Sequence, residues 1–244
     1  SGEVKVFDLD LDKDPKTIRG NLGVVPQEIN IDPFFTPMQV MNNQAGMYGI
    51  QKKNNQSLEI LKNLNLDDKA NAYSRSLSGG MKRRLMVAKA MVHSPPIIIL
   101  DEPTAGVDVD LRNKLWEYIR KLNKAGTTII LTTHYLKEAE ILCDELAVIN
   151  KGKVIACDTK KNILSLLDEK YLIIEFENTN FKVPERLKKY CIKKTKSSVE
   201  LKFNKSENSV TNLVKVFEKT KVKIKDISTK DSDLEEIFIN LLKR

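Results

Sequence analysis

Residues 77 to 108 read LSGGMKRRLMVAKAMVHSPPIIILDEPTAGVD, and this stretch decides the fold. Apolar residues recur at helical spacing from Leu85 to Val92, which predicts a helix that the Pro95-Pro96 pair stops. The run IIIL that follows is continuously apolar, as is typical of a strand buried on both faces of a parallel sheet. The stretch therefore predicts a helix that leads into a central strand, and this strand ends in two carboxylates.

Strand and helix patterns alternate on both sides of this stretch. Residues 22–25 form a short apolar run ended by proline, which predicts a strand. Residues 127–132 form a second run, predicted to be another strand buried on both faces. Apolar positions between Leu111 and Leu122 predict an amphipathic helix between them. Alternating strands and helices indicate an α/β fold around a parallel sheet.

A polar, helical region separates the first strand from LSGG. Helices are predicted over residues 38–48 and 57–64. Together with the helix that follows LSGG, they give a predicted helical subdomain over residues 34–92. The apolar face of the second helix is predicted to consist of Leu58, Leu61 and Leu64.

The composition shifts after about residue 160, which predicts two domains, residues 1–160 and residues 161–244. A hairpin over residues 145–158, turning at Lys151-Gly152, closes the first domain. The second is predicted to be a small C-terminal α+β appendage whose last helix begins at a capping box, Ser232-x-x-Glu235. Its predicted strands are residues 171–177, 198–203 and 222–227, and its other helix is residues 210–217.

The charge balance bears on the kind of partner. The net charge is +8, from 41 Lys and Arg against 33 Asp and Glu. A basic balance can indicate nucleic acid or an anionic membrane surface, whereas a solvated Lys-rich surface is the simpler interpretation. Because no nucleic-acid-binding motif is present, we expect no nucleic-acid partner.

The compartment follows from the cysteines and the hydropathy pattern. The three cysteines show no metal-ligand spacing, which indicates thiols in a reducing compartment. No apolar run reaches the roughly 18 residues of a membrane span, and no signal-peptide pattern opens the sequence. We therefore expect a cytoplasmic protein, or one held at a membrane by a partner.

Two adjacent carboxylates, Asp101 and Glu102, follow the central strand. In α/β folds the carboxyl edge of the sheet is where ligands bind. Asp101 is a candidate Mg²⁺ ligand through water, because Mg²⁺ prefers oxygen ligands and keeps part of its hydration shell. Glu102 is a candidate to orient or deprotonate an attacking water. The alternative is an acidic pair that caps the next turn.

The LSGG turn is a candidate phosphate contact. Gly79 and Gly80 at a helix start leave backbone N–H groups open to phosphate oxygens, and the helix dipole favours negative charge. Ser78 adds a hydroxyl donor. Ser-Gly-Gly by itself is equally compatible with a flexible turn, but it lies 23 residues before Asp101.

Three further residues are candidates because of their positions. His134 follows the strand over residues 127–132, and its ring would reach a γ-phosphate or the attacking water; a structural histidine is the alternative. Asp108, in AGVD, would brace a partner across an interface. Gln27 follows the first strand and would complete the Mg²⁺ shell with its amide oxygen; otherwise it is a polar loop residue.

Together these motifs resemble the nucleotide-binding domain of ABC transporters over about residues 1–160. LSGGM resembles the signature LSGGQ, with Met81 in place of Gln, and IIILDEP resembles the Walker B strand. AGVD resembles the D-loop, VVPQE the Q-loop, and His134 the switch histidine. FFTPMQVMNNQAGMYGI and the DLEEIF tail resemble ATPase subunits of the ABC-2 export group.

The resemblance implies a partial P-loop NTPase domain that hydrolyses ATP with Mg²⁺ to drive export. In that family two domains meet head to tail, so that each ATP lies between the phosphate loop of one chain and the LSGG of the other. A separate transmembrane permease is the second partner, at the inner face of the cell membrane. The implied catalytic residues are Glu102 and His134, the implied metal ligands Asp101 and Gln27, and the implied ATP-binding residues Ser78, Gly79, Gly80, Gln27 and Asp108.

One motif of the family is absent from the 244 residues. No G-x-x-x-x-G-K-[ST] phosphate loop occurs, and the only Gly-Lys pair, Gly152-Lys153, is followed by Val154. That loop supplies the lysine and N–H cradle for the phosphates, so we expect an N-terminally truncated chain that is inactive alone. A degenerate, non-catalytic module that caps a partner's ATP with LSGG is the alternative. A DNA-repair or translation ATPase is disfavoured, since the 50 residues between Gln27 and Ser78 leave no room for a coiled-coil insertion.

Overall fold

The computed structural model describes residues 2–177, 181–220 and 222–242. Contacts between residues divide the chain into two units, Ser1–Leu142 and Cys143–Arg244. The hairpin over residues 145–158 belongs to the second unit by this division. The domain limit at residue 160, which came from composition, remains a prediction.

The first unit contains five strands and six α-helices among its described residues. Short 3₁₀ turns at Lys52–Asn54, Asp67–Lys69 and Ser74–Ser76 connect the helices of its middle part. The elements are β1 Lys5–Val6, β2 Leu9–Asp10, α1 Pro15–Gly20, β3 Leu22–Val25, α2 Pro37–Met47, α3 Ser57–Asn63, α4 Gly79–Met91, β4 Ile97–Asp101, α5 Val109–Lys124, β5 Thr128–Thr132 and α6 Leu136–Leu142.

β3, β4 and β5 form a parallel sheet in which β4 is central. Val25 pairs with Leu100, and Leu100 with Leu131, so the three strands end at the same edge. The strands predicted at these positions are confirmed. The prediction that β5 is buried on both faces is wrong. Among the described residues β5 pairs only with β4, and Ile130 is 49% exposed. Only Ile129 and Leu131 of β5 pack against the core.

The helical layer is built from α2, α3 and α4, as predicted. α2 begins at a complete capping box, in which Thr36 Oγ1 accepts from Gln39 N and Gln39 Oε1 accepts from Thr36 N. The predicted apolar face of α3 is partly wrong, because Leu58 is exposed and Ile60 is buried instead. At 3.6 residues per turn, positions 60, 61 and 64 share a face from which position 58 is rotated away. The core also includes Met41, Leu85, Leu100 and Leu115.

The second unit combines a hairpin with a four-stranded antiparallel sheet. β6 and β7 turn at Lys151-Gly152, both with positive φ, which confirms the predicted hairpin. The remaining strands follow the order β11-β8-β10-β9, the βαββαβ topology of ferredoxin-like domains. The elements are β6 Glu145–Asn150, β7 Lys153–Thr159, α7 Lys160–Leu164, β8 Glu169–Phe176, α8 Glu185–Lys188, β9 Cys191–Lys194, β10 Ser198–Asn204, α9 Val210–Glu218, β11 Ile224–Asp231 and α10 Leu234–Leu242.

The α+β character of this unit is as predicted, but the start of its last helix is not. The hydroxyl of Ser232 is buried and has no hydrogen-bond partner among the residues that the structure describes. Asp233 caps α10 instead, since its Oδ1 accepts from Glu236 N at 3.1 Å. β11 extends to Asp231, which leaves Ser232 in the connection between strand and helix. The cap therefore lies one residue later than the sequence pattern indicated.

Gly23 lets β3 approach the end of α4 closely. An added Cβ would lie 2.6 Å from the Ala90 backbone oxygen and 2.9 Å from Pro95 Cγ. We expect Gly23→Ala to lower the free energy of unfolding by about 1–3 kcal/mol, because the backbone must shift to accept the methyl group. Urea denaturation followed by circular dichroism measures this.

The matched control is Gly20→Ala at the end of α1, where an added Cβ meets no atom within 4 Å. We expect a change within about 0.5 kcal/mol. Equal destabilisation by the two substitutions would contradict the close approach at Gly23.

Candidate functional site

The carboxyl edge of the parallel sheet carries the predicted acidic pair. Asp101 is the last residue of β4, and its Oδ1 accepts a hydrogen bond from Thr132 Oγ1 at the end of β5. The N–H of Glu102 donates to the backbone oxygen of Thr132 at 3.0 Å. These bonds fix both residues where the two strands end. The Thr132 contact was not predicted from the sequence, although its place at the end of the apolar run was visible.

Glu102 and His134 form a second side-chain contact at this edge. His134 Nδ1 lies 2.6 Å from the Glu102 carboxylate. The Glu102 side chain is 17% exposed and the His134 side chain 80% exposed, so the pair opens to solvent on the histidine side. Glu102 has a φ of 51°, a conformation that costs energy in a residue other than glycine and is found at functional sites.

The hydrogen bond that His134 donates to Glu102 raises the pKa of His134 above its ordinary value of 6.5, and the negative charge of Glu102 is the second cause. Glu138 adds a smaller electrostatic contribution in the same direction. A carboxylate paired with an imidazole can orient and deprotonate a bound water. The structure thus brings together the two residues predicted to be catalytic.

Ser78, Gly79 and Gly80 form the signature turn at the start of α4. Ser78 is the N-cap, with its Oγ accepting from Met81 N at 3.2 Å. An added Cβ on Gly79 would meet no atom within 4 Å, so this backbone is open. The first N–H groups of a helix have no acceptor within it, which suits an anion at this turn.

The signature turn and the acidic pair remain separate in one chain. No hydrogen bond or ion pair of the described residues joins the turn to Asp101, Glu102 or His134. The turn packs instead on the AGVD segment. A Cβ added to Gly80 would lie 3.8 Å from Val107 Cα. Asp108 of this segment caps α5, since its Oδ1 accepts from Leu111 N at 3.0 Å.

Gln27 lies in an exposed loop that follows β3 and that we call the Gln27 loop, residues 26–31. Its side chain is exposed, and its backbone oxygen accepts a hydrogen bond from Arg83 Nη2 at 2.5 Å. β3 and β4 are paired up to Val25 and Leu100, so Gln27 and Asp101 follow neighbouring strand ends. A carboxylate oxygen and an amide oxygen are the ligand types that Mg²⁺ prefers.

A metal site at this edge would need further ligands besides these two. Among the described residues there is no group of three or more His, Cys, Asp or Glu able to hold a metal ion. Mg²⁺ usually binds through one or two carboxylates, with waters and substrate phosphates completing the shell. The residues present therefore fit Mg²⁺ bound together with a nucleotide.

Two buried arginines were missed by the sequence analysis. Arg83 is 4% exposed and Arg84 3% exposed. The residues of a basic run such as KRR ordinarily lie on the solvent-exposed face of a helix. Yet Arg83 shares a helical stripe with Val87 and Ala90, both of which are buried, and this spacing was the available signal.

Two solved structures share this architecture. "Structure of ATP binding subunit of ABC transporter" aligns with a TM-score of 0.61 and 26% identity over 68% of this chain and 70% of that one. A dimeric ATP-binding cassette in a post-hydrolysis state, bound to ADP and Pi, aligns with a TM-score of 0.58 and 26% identity over 65% of this chain and 73% of that one. The class of protein is therefore an α/β nucleotide-binding protein with the P-loop NTPase fold.

Sequence relatives narrow this class. The "ABC transporter" family model matches residues 1–105. The linearmycin resistance ATP-binding protein LnrL of Bacillus subtilis is 32% identical over all of this chain and 81% of its own length. The Nod factor export ATP-binding protein I of Ralstonia nicotianae is 45% identical over 57% of this chain and 44% of its own length. The chain belongs to the ATP-binding subunits of ABC transporters.

The comparisons confirm the predicted fold class and the ABC resemblance, and the family is one of ATPases that serve transport. The chain matches less than half the length of the Ralstonia relative. No helix within residues 2–177, 181–220 and 222–242 is long and apolar enough to cross a membrane. The roles of the individual site residues stay predictions.

Titration of the two histidines by nuclear magnetic resonance tests the Glu102–His134 pair. We expect His134 to titrate above 6.5 and His93 below it, because desolvation lowers the pKa of His93 more than its hydrogen bond to Leu22 raises it. The His134 ion pair is complete below pH 6.5 and is lost as the pH rises through the raised pKa.

Glu102→Gln should bring the pKa of His134 down towards 6.5 and leave that of His93 unchanged, which makes His93 the internal control. A His134 pKa that did not respond to Glu102→Gln would show that the pair does not persist in solution.

Proposed function

We propose that the chain is the ATP-hydrolysing subunit of an ABC-2-type export system and couples ATP hydrolysis to transport through a separate membrane subunit. The observation that carries this is the Glu102–His134 pair beside Asp101 at the carboxyl edge of the sheet. The export direction is supported by the similarity to the Nod factor export ATP-binding protein I of Ralstonia nicotianae.

The side chains at this edge take distinct roles in the proposed reaction. Asp101 and Gln27 would hold Mg²⁺, which neutralises phosphate charge when bound. Glu102 orients the attacking water and accepts its proton, and His134 holds the Glu102 carboxylate in place from the solvent side. In phosphoryl transfer such positioning and charge stabilisation supply most of the catalysis.

The signature turn serves a second subunit in this proposal. Because the turn lies apart from the acidic pair in one chain, it would contact ATP held by a partner that packs head to tail. Asp108 lies on the AGVD segment against which the turn packs and would face the same partner. The dimeric state of one structural neighbour supports this arrangement.

A groove beside the Gln27 loop is the proposed contact for the membrane subunit. Its volume is about 300 Å³. Leu22, Val24 and Met86 give it apolar walls, and Arg19 and Lys89 give it positive charge. An amphipathic helical segment with carboxylates fits such a groove by shape and charge. The chain would then lie on the cytoplasmic face of the membrane without inserting into it.

The catalytic role of Glu102 predicts a large loss of activity on removal of its charge. In the protein purified at its full encoded length, we expect Glu102→Gln to lower kcat for ATP hydrolysis by about 10²- to 10⁴-fold, because the general base is lost. ATP binding and ATP-dependent dimerisation should persist. Phosphate release and analytical ultracentrifugation measure the two effects.

The control is Glu117→Gln on the exposed face of α5, which should leave hydrolysis unchanged. A Glu102→Gln variant that hydrolysed ATP at the wild-type rate would contradict the assignment of Glu102 as the general base. A second candidate function is a non-catalytic module that caps a partner's ATP, and the open backbone at Gly79 of the signature turn supports it. It predicts no hydrolysis by the wild type and ATP-dependent association with a complete ABC subunit.

Reversing charge in the groove tests the membrane contact. We expect Arg19→Glu to reduce co-purification with the membrane subunit about tenfold or more, since it would oppose a carboxylate with a like charge. Lys16→Glu on the same helix is the matched control, because Lys16 is exposed and does not line the groove. Equal losses for the two variants would point to a general charge effect and contradict the proposed docking site.

A further inference from the structure

Arg83 connects two parts of the proposed site that are far apart in sequence. It belongs to the first turns of α4, just after the signature turn, and its side chain reaches the Gln27 loop. Nη1 donates to Pro26 O at 2.7 Å and Nη2 donates to Gln27 O at 2.5 Å. The guanidinium thus holds two successive carbonyls with its two terminal nitrogens.

The Gln27 loop has little else to hold it. Apart from these two bonds, no hydrogen bond of the described residues joins residues 26–31 to another element. Residues 27–30 are exposed, and packing restrains the loop at its end, where Ile31 lies against the core. The position of Gln27 therefore depends on a side chain carried by the signature helix.

The charge of Arg83 is also tied to the acidic pair. Burial lowers the pKa of Arg83, and the charges of Asp101 and Glu102 oppose this effect. A buried guanidinium is costly unless it is paired and hydrogen-bonded. The carbonyls of the Gln27 loop and the acidic pair together provide this compensation.

We propose that Arg83 is a positioning residue that couples the Gln27 loop to the signature turn, so that engagement of Gln27 by Mg²⁺ and nucleotide changes the placement of Ser78, Gly79 and Gly80. This proposal rests on the proposed function for the identity of the ligand. The mechanical link itself depends only on the two hydrogen bonds and can be tested without ligand.

Arg84 provides a matched control. It is the next residue of α4, equally buried, and its Nη1 donates to the carbonyls of Leu64 and Asn65 at the end of α3. Arg84→Met therefore removes a comparable buried cation that holds loop carbonyls, on the side away from the Gln27 loop. Arg83→Lys keeps the charge but loses the two-pronged donor geometry.

The first experiment measures the link in the absence of nucleotide. We expect Arg83→Met to lower the ¹⁵N order parameters of residues 27–30 from about 0.85 to below about 0.6, with Arg83→Lys intermediate and Arg84→Met unchanged. Equal order parameters in Arg83→Met and Arg84→Met would overturn the proposal.

The second experiment measures the consequence for turnover in the protein at its full encoded length. We expect Arg83→Met to lower kcat by about 10- to 100-fold, as for a misplaced positioning group, with KM for ATP changed less than about threefold and partial rescue in Arg83→Lys. Gln27→Ala should mask this loss, so that the double variant is no slower than Gln27→Ala alone. Additive losses would overturn the coupling. A wild type without hydrolysis would refute the proposed function, while the order parameters would still decide the role of Arg83.

Discussion

The parallel pairing of β4 between β3 and β5 is the constraint on which the rest of the first unit depends. Because the paired strands end together, three features meet at one edge of the sheet. They are the loop after β3, the acidic pair at the end of β4 and Thr132 at the end of β5. Thr132 binds both Asp101 and the backbone of Glu102. His134 follows two residues later and reaches the Glu102 carboxylate. A one-residue change of register would point the carboxylate of Asp101 to the opposite face of the sheet.

The elements that the sequence predicted well are those decided by local chemistry. IIIL is continuously apolar and ends in Asp-Glu, so both the central strand and the acidic pair were visible before any contact was known. Lys151-Gly152 likewise indicated its hairpin, because glycine takes without strain the positive φ that the turn requires at residue 152. The features that the sequence did not predict depend on long-range packing. The exposure of Ile130 depends on which elements lie opposite it, and no local pattern shows that. The burial of Arg83 had one local signal, its helical spacing with Val87 and Ala90, but its acceptors lie far away in sequence. Asp233 displaced Ser232 as helix cap because β11 continues to Asp231 and leaves Ser232 in the connection.

The two buried arginines of α4 show how one helix can be anchored in two directions. Arg83 holds the Gln27 loop and Arg84 holds the end of α3, each through backbone carbonyls. Carbonyl acceptors bind terminal guanidinium nitrogens of each arginine without burying a second charge beside them, which reduces the desolvation that a buried ion pair would require. The signature turn at the start of the same helix is thereby placed relative to both the sheet and the helical layer.

Within the described ranges no further strand pairs with β9 or β11, the outer strands of the sheet in the second unit, and such edges are open to pairing with strands of other molecules. β9 exposes Lys193 and Lys194 in a strand of only four residues. A second copy that added its own β9 would bring lysine against lysine within a few ångströms. Charge repulsion at this edge therefore opposes fibrillar self-association of the ferredoxin-like unit, at no expense to its hydrophobic core.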